Sequence, residues 1–368
     1  MGSAAPHLLG RRRRSRLVPW EARSLFARAS PKMRLGGPSR CGGIFDLTSG
    51  RALGAHLVGA TSSGGCSQPV MTDLSPRDTA RMGIAVVTGA SSGIGLATTI
   101  RLAQEGYEVY GSMRDLDRAE HLHAACVDAG LDNVRLLRID VTDDRVIDLA
   151  FKQVRDQSGP VDVLVNNAGI ARSQAVEDDT IESFSEHIEA NFLGAVRCIK
   201  RVLPSMRERG TGHIVNVSSV AGRYATVTTA AYTASKFALE GFSEVLAQEV
   251  APYGVRVALI EPGVINTPIF YKSPPVPEST FYPMHYERAL GFFATMLTTA
   301  PGPEVVAETI VAVLKADEPA LRYPVADDAF AILGGRAKMT DEELVALGTL
   351  SHSEWLDAMR RYFGFDIA

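Results

Sequence analysis

The sequence predicts an α/β fold built on one doubly wound parallel sheet with helices on both faces, and three observations carry that prediction. From Met82 onward, short runs rich in Val, Ile and Leu alternate with segments of helical periodicity. Strands separated by helices pair in parallel and are covered on both sides. The first run stops at a glycine-rich turn, Gly89 to Gly95, that opens a helical stretch. Hydrophobic residues make up 46% of the 368 residues, enough to bury a sizeable core.

The elements follow in order. Ile84–Thr88 is the first strand, halted by Gly89, and the helix after it runs through Gln104 to a stop at Gly106. Glu108–Ser112 is the second strand, Val134–Ile139 the third and Val161–Val165 the fourth. His213–Val217 and Val255–Ile260 are the fifth and sixth, and Leu321–Val325 a last one at the edge. The expected order is 3-2-1-4-5-6, with the seventh strand outside the sixth. The main domain spans 71–330, and 331–368 is expected to be a helical extension packed on it. Acids at 341–343 suit a solvated first helical turn. No run reaches the roughly 18 apolar residues of a membrane span.

The net charge of −4 hides an asymmetry. Residues 1–70 hold ten Arg, one Lys and two acids, a balance of +9, and the remainder stands at −13. An acidic body repels phosphate backbones, so no nucleic-acid partner is expected for it. The 1–70 stretch contains Arg11–Arg14 and then Gly-, Ser- and Pro-rich sequence without sustained periodicity. It is expected to be a disordered basic extension, with Met71 or Met82 as the functional start. Its Arg-rich, acid-poor composition also fits a mitochondrial transit peptide or a basic arm. The compartment is accordingly the cytoplasm, or the mitochondrion if the stretch is a targeting segment. Cys41, Cys66, Cys126 and Cys198 show no CxxC spacing, so neither a disulfide framework nor a zinc site is suggested. His121 and His123, at i and i+2, do not share a helix face, and no metal is expected.

The turn Thr88-Gly89-Ala90-Ser91-Ser92-Gly93-Ile94-Gly95 stands after a strand and before a helix, the context in which a backbone can approach a pyrophosphate at a helix N-terminus. Its spacing, Gly-x-x-x-Gly-x-Gly, differs from the commonest dinucleotide fingerprint. It resembles the cofactor turn of the short-chain dehydrogenase/reductase family. Four further motifs agree in order: Asn166-Asn167-Ala168-Gly169, Ser219 thirteen residues before Tyr232, Tyr232-Thr233-Ala234-Ser235-Lys236, and Pro262-Gly263 after the sixth strand. The resemblance covers roughly 82–325 and is nearer to the steroid and retinol dehydrogenases of that family than to its fatty-acid synthesis reductases.

The resemblance implies a Rossmann-type domain that moves a hydride between a nicotinamide and a secondary alcohol or ketone. Thr88, Gly89, Ser91, Ser92, Gly93, Ile94 and Gly95 would hold the pyrophosphate side. Cofactor choice lies just after the second strand, where an acid selects NAD and a base selects NADP. Met113 stands at the acid's place and Arg114 follows, with a planar fork suited to a phosphate, so NADP(H) is expected over NAD(H). The alternative is a solvated Arg114 paired with Asp115 or Asp117. Asp140 and Val141 match the pair that contacts the adenine, and Asp140 could also cap the following helix. Asn166 is expected to support the cofactor turn, and Asn167, Ala168 and Gly169 to form scaffold and cofactor wall. Pro262, Gly263 and Ile265 match the stretch at the nicotinamide carboxamide, and Thr267 a residue near the phosphates.

Tyr232 and Lys236, four apart, share a helix face. A nearby ammonium favours the phenolate and brings tyrosine, with its free pKa near 10, into the range of general acid/base work. Ser219 would hold the reacting oxygen; Ser218 is the competing candidate. Asn191 matches the family's helix asparagine, implied to hold a water that links the lysine to solvent, with a surface position as the alternative. The stretch 268–300 is expected to be the substrate lid. Phe270, Phe281, Phe292 and Phe293 either line an apolar pocket or serve as ordinary packing. The substrate is expected to be an apolar steroid-, retinoid- or lipid-like molecule. A small-molecule carbonyl reductase and a non-catalytic NADP-binding sensor are the alternatives. A homodimer or homotetramer is implied by resemblance alone.

Overall fold

The computed structural model describes residues 82–278 and 280–367; the basic stretch 1–70 lies outside the described residues. The strands are β1 (Ile84–Val87), β2 (Glu108–Met113), β3 (Val134–Arg138), β4 (Val163–Asn166), β5 (Gly212–Val217), β6 (Val255–Pro262) and β7 (Arg322–Val325). They form one sheet in the order β3-β2-β1-β4-β5-β6-β7, every pairing parallel. The α-helices are α1 (Gly93–Gln104), α2 (Glu120–Asp128), α3 (Asp144–Gln157), α4 (Ile181–Ile188), α5 (Gly194–Arg209), α6 (Ala230–Val250), α7 (Pro283–Thr299), α8 (Glu304–Lys315), α9 (Asp327–Arg336), α10 (Asp341–Ala346) and α11 (His352–Phe363).

Fold class and strand order match the reading of the sequence. Every residue of β1, β2 and β4 is buried, as in a parallel sheet covered on both faces. The alternation of the strands sorts them into two cores. Val86, Tyr110, Leu164 and Ile214 pack with α3, α5 and α6 through Phe151, Ile199, Met206 and Leu246. Ala85, Val87, Val165 and Ile260 pack with α1 and α8 through Leu102 and Ile310. β7 is an edge strand, where Pro324 costs no ladder hydrogen bond on a second side.

Strand ends shift by one or two residues from the apolar runs. β4 starts at Val163 because Asp162 is occupied at the neighbouring strand: its carboxylate accepts from the Ile84 amide at 2.8 Å. β6 continues to Pro262, which pairs in register with Val325. The helix before β4 is capped by Asp143, whose side chain accepts from Arg145 and Val146 amides, and not by Asp140.

After β7 the chain turns back as α9–α11. Met339, Trp355, Met359 and Phe363 form a separate apolar cluster, against which Tyr224 and Phe292 of α7 pack. α7 is fixed to this segment by Arg288, which is buried without a carboxylate partner among the described residues. Its guanidinium donates to the Leu347 and Leu350 carbonyls and lies 5.4 Å from the Trp355 ring centroid. Those carbonyls belong to the turn before α11, so a single side chain ties the cover helix to the chain's last elements. Arg288→Ala removes two charge-assisted bonds and a ring contact. It should lower the unfolding free energy by about 3 kcal/mol, read as a fall in urea midpoint at unchanged m-value.

Candidate active site

Strand order reverses between β1 and β4, and the crevice at their carboxyl ends is where such sheets take ligands. A cleft of about 440 Å³ opens there and runs from the Gly89–Ile94 turn to Tyr232 and Phe270. The turn is stitched to the end of β4. The Thr88 hydroxyl accepts from the amides of Asn167 (2.9 Å) and Ala168 (3.0 Å), and the Asn167 amide donates to the carbonyls of Thr88 (2.9 Å) and Gly89 (3.2 Å). Gly89 has φ +72° and Gly95 approaches so closely that a Cβ there would stand 2.2 Å from the Gly89 carbonyl oxygen. Ser92 caps α1 without a side-chain hydrogen bond. The first amides of that helix therefore face the cleft beside the positive end of its dipole.

The stitching residue is Asn167, which corrects the expectation that Asn166 supports the turn. Asn166 ends a strand and points into the core, where it donates to Asn216 at 2.8 Å, and Asn216 in turn donates to Ser243. Alternation along a strand decides which of two adjacent asparagines faces the turn.

At the end of β2, Met113 is buried and Arg114 is exposed on the cleft wall. Arg114 makes no ion pair with Asp115 or Asp117; the Asp115 carboxylate instead accepts from the Asp117 amide. Arg118, one short helical turn later, lines the same wall, a second cation that the motif comparison missed although its spacing from Arg114 was visible. Asp140 and Val141 line the same end of the cleft, with Asp140 accepting from the Thr142 amide and hydroxyl. Ser91, Ser92, Gly93, Ile94, Asn167, Ala168 and Gly169 complete this half. On the far side stand Pro262, Gly263, Ile265 and Thr267, the last with its methyl against Gly93. Asp328 of α9 holds this stretch by accepting from the Val264 amide at 2.7 Å.

Ser219 lies two residues past β5 in extended conformation, its hydroxyl accepting from the Ala221 amide at 3.1 Å. It is also close enough to the Tyr232 phenol to lower that group's pKa, while burial raises it above the ordinary tyrosine value more strongly. Ser218 turns the other way, toward Glu240. Lys236 is buried on the same face of α6, with Nζ donating to the Val217 carbonyl at 2.8 Å and 5.7 Å from the Tyr232 ring centroid. Burial pushes its pKa down to about 8, against the opposing pull of Glu240.

Asn191 is buried, not at the surface, in a π-helical turn (Glu189–Leu193) between α4 and α5. Its amide donates to the Ile170 carbonyl and to Ser235 Oγ, both at 2.9 Å, and its oxygen accepts from the Ile170 amide at 2.7 Å. Both amide hydrogens are thus spent on protein oxygens. The side chain clamps the loop after β4 to the Tyr232 helix rather than presenting a donor to water. Of the aromatic stretch, Phe270 lines the cleft, Phe292 and Phe293 pack behind it, and Phe281 is 81% exposed. Phe281 therefore belongs to neither of the two roles expected for it. Ile269 and Lys272 join the lining, without a motif to have announced them. Among the described residues no cluster of His, Cys, Asp or Glu could hold a metal ion, and no single helix is long and apolar enough to cross a membrane.

A family model of short chain dehydrogenases matches residues 83–275. An oxidoreductase of Botryotinia fuckeliana is 36% identical over 258 residues, covering 69% of this chain and 92% of that protein. Retinol dehydrogenase 8 of Homo sapiens is 35% identical, with 64% of this chain and 79% of that protein covered. Among solved structures, a variant of actinorhodin polyketide ketoreductase with NADPH is 31% identical with a TM-score of 0.59, covering 67% of this chain and 97% of that one.

The tightest contact in the cleft gives a direct test. In Gly95→Ala the new methyl would meet the Gly89 carbonyl, and the turn must open. Dinucleotide affinity, measured by calorimetry, should fall at least tenfold while the far-ultraviolet circular dichroism is retained.

Proposed function

The chain belongs to the short-chain dehydrogenase family, and on that premise we propose that this oxidoreductase uses NADP(H) and acts on an apolar secondary alcohol or ketone. The observation that carries the proposal is the convergence of Ser219, Tyr232 and Lys236 in one cleft with the glycine-rich turn and Arg114, an arginine with no ion pair among the described residues. A binding module has no use for a buried phenol and ammonium side by side.

The residues present fit a phosphorylated dinucleotide. The uncapped N-terminus of α1 suits a pyrophosphate, and Arg114 with Arg118 suits a 2′-phosphate, with Met113 rather than an acid closing β2 and Asp115 beside them on the same wall. The neighbour crystallised with NADPH supports the same choice. When bound, the nicotinamide supplies or accepts the hydride. The chain's own residues handle the oxygen. Ser219 Oγ fixes the carbonyl or hydroxyl oxygen by a hydrogen bond. Tyr232 gives that oxygen its proton in reduction and takes it in oxidation. Burial keeps the phenol protonated at neutral pH, the state needed for donation, and Lys236 stabilises the phenolate that donation leaves. Asn191 and Ser235 set the helix that carries both groups. Ile170, Ile269 and Phe270 form an apolar wall, which supports an apolar substrate, as does the likeness to retinol dehydrogenase 8.

The test is a panel of ketones and alcohols of growing ring and alkyl size, followed by nicotinamide absorbance with both cofactors. Turnover best with bulky apolar ketones and NADPH is expected; a preference for acetone-sized or charged substrates would overturn the substrate reading. In that panel Tyr232→Phe should lose about 10²–10⁴ in kcat with cofactor affinity retained. Arg114→Ala should weaken NADP(H) about 10- to 100-fold and NAD(H) little. Equal losses for both cofactors would remove the phosphate role.

A further inference from the structure

Behind Tyr232 and Lys236 lie two buried carboxylates, with the charges that pair with them, that proton transfer does not itself use. Glu240 follows Lys236 by one turn on α6 and is 4% exposed. Arg322 of β7 donates through Nε to Glu240 at 2.9 Å and lies 3.2 Å from the fully buried Glu261 of β6. Arg322 also reaches Glu244, farther along α6, at 2.6 Å. Arg223, just past the turn that carries Ser219, meets Glu261 at 3.3 Å. The Ser218 hydroxyl, next to Ser219, is turned toward Glu240 and lowers its pKa.

The packing is as close as the charge pairing. A Cβ on Gly222 would stand 2.7 Å from Glu240 Cγ, 2.9 Å from Ser218 Oγ and 3.2 Å from the Lys236 carbonyl oxygen. The Ser219 turn, the Lys236 turn and Glu240 therefore form one packed unit that only a glycine permits. Buried ion pairs are weak sources of stability, because desolvation offsets much of their attraction. A role at the neighbouring site explains their placement better.

We propose that Glu240 is a positioning residue that keeps Tyr232 and Lys236 supplied with their protons, held in its charged state by Arg322. The proposal rests on the reading of Tyr232 and Lys236 as the proton-transfer pair. A fixed negative charge one turn from Lys236 and two turns from Tyr232 opposes the loss of a proton from either group, most directly from Lys236, whichever of the coupled pair deprotonates first. The charges that surround it are Arg322 from β7, Glu261 from β6, Arg223 from the Ser219 turn, and Glu244 and Lys236 from its own helix. Burial raises the pKa of Glu240 itself, and Arg322 and Arg223 pull it down. Lys236, at about 8, has little reserve near neutrality without it.

Glu240→Gln keeps shape and hydrogen-bonding capacity and removes the charge. Arg322 keeps Glu261 and Glu244 as partners, so no buried cation is left unmatched. The alkaline limb of kcat/KM for ketone reduction should move to lower pH by about one unit. Glu240→Asp, which keeps the charge, should hold the limb near its wild-type position. The phenolate titration of the cofactor-free chain, read as an ultraviolet difference against Tyr232→Phe, should move in the same direction. Glu240→Met serves the same purpose if the glutamine variant does not fold. An unmoved limb and an unmoved titration, with or without a uniform loss of rate, would overturn the proposal and leave Glu240 a packing residue. The titration needs no turnover. It therefore tests Glu240 even if Tyr232→Phe were to keep its rate, the separate outcome that would remove the reading of the pair.

Discussion

The site depends on one set of contacts, the hydrogen bonds that join the Thr88 turn to Asn167 at the point where strand order reverses. Two strand ends must lie side by side there, and a helix must start immediately after a sharp turn. Thr88 and Asn167 satisfy the polar groups that such a turn leaves over. Gly89 and Gly95 let the backbones approach within distances no side chain would tolerate. The side-chain-uncapped N-terminus of α1 and the wall bearing Arg114 and Arg118 are consequences of that geometry, as is the cleft itself.

The second constraint is the burial of an ammonium. Lys236 stands on a helix face where desolvation drives its proton off, and the fold answers with a carbonyl from β5 and a carboxylate one turn away. The answer draws on three strands: the end of β5 supplies Val217 and the Ser219 turn, β6 supplies Glu261, and the start of β7 supplies Arg322. From the other side Asn191 fixes the same helix through Ser235 and the loop after β4. Tyr232 and Lys236 are thus held by groups scattered over more than 150 residues of chain, none of which need touch a substrate.

The apolar half of the cleft is built differently. Phe270 rests on Phe293, Phe293 on Phe292, and Phe292 on Phe365 near the end of the chain. Tyr286 of the cover helix donates to Asp178 and accepts from the Ala175 amide, and Arg288 grips the turn before α11. The apolar wall is therefore supported by the last helices of the chain, while the glycine-rich wall is supported by the sheet.

The sequence alone determined the sheet and its order and marked the residues proposed to carry chemistry, because each rests on a local pattern. Apolar runs bounded by glycines mark strands, and Tyr232 and Lys236 share a face by helical periodicity. Thr88–Gly95 declares its turn through its own glycines. Tertiary structure decided everything that depends on which way a side chain faces. Asn167 and not Asn166 braces the turn, and Asp143 and not Asp140 caps the helix. Phe281 points to solvent although its neighbours in the aromatic stretch are packed. Arg118 reaches the cleft only because a short helical turn follows β2. Glu240, Glu261, Arg322 and Arg223 look like ordinary charged residues in the sequence. They become a network around two buried carboxylates only when β5, β6, β7 and α6 meet, since charge pairing falls off with distance in space and not with separation along the chain.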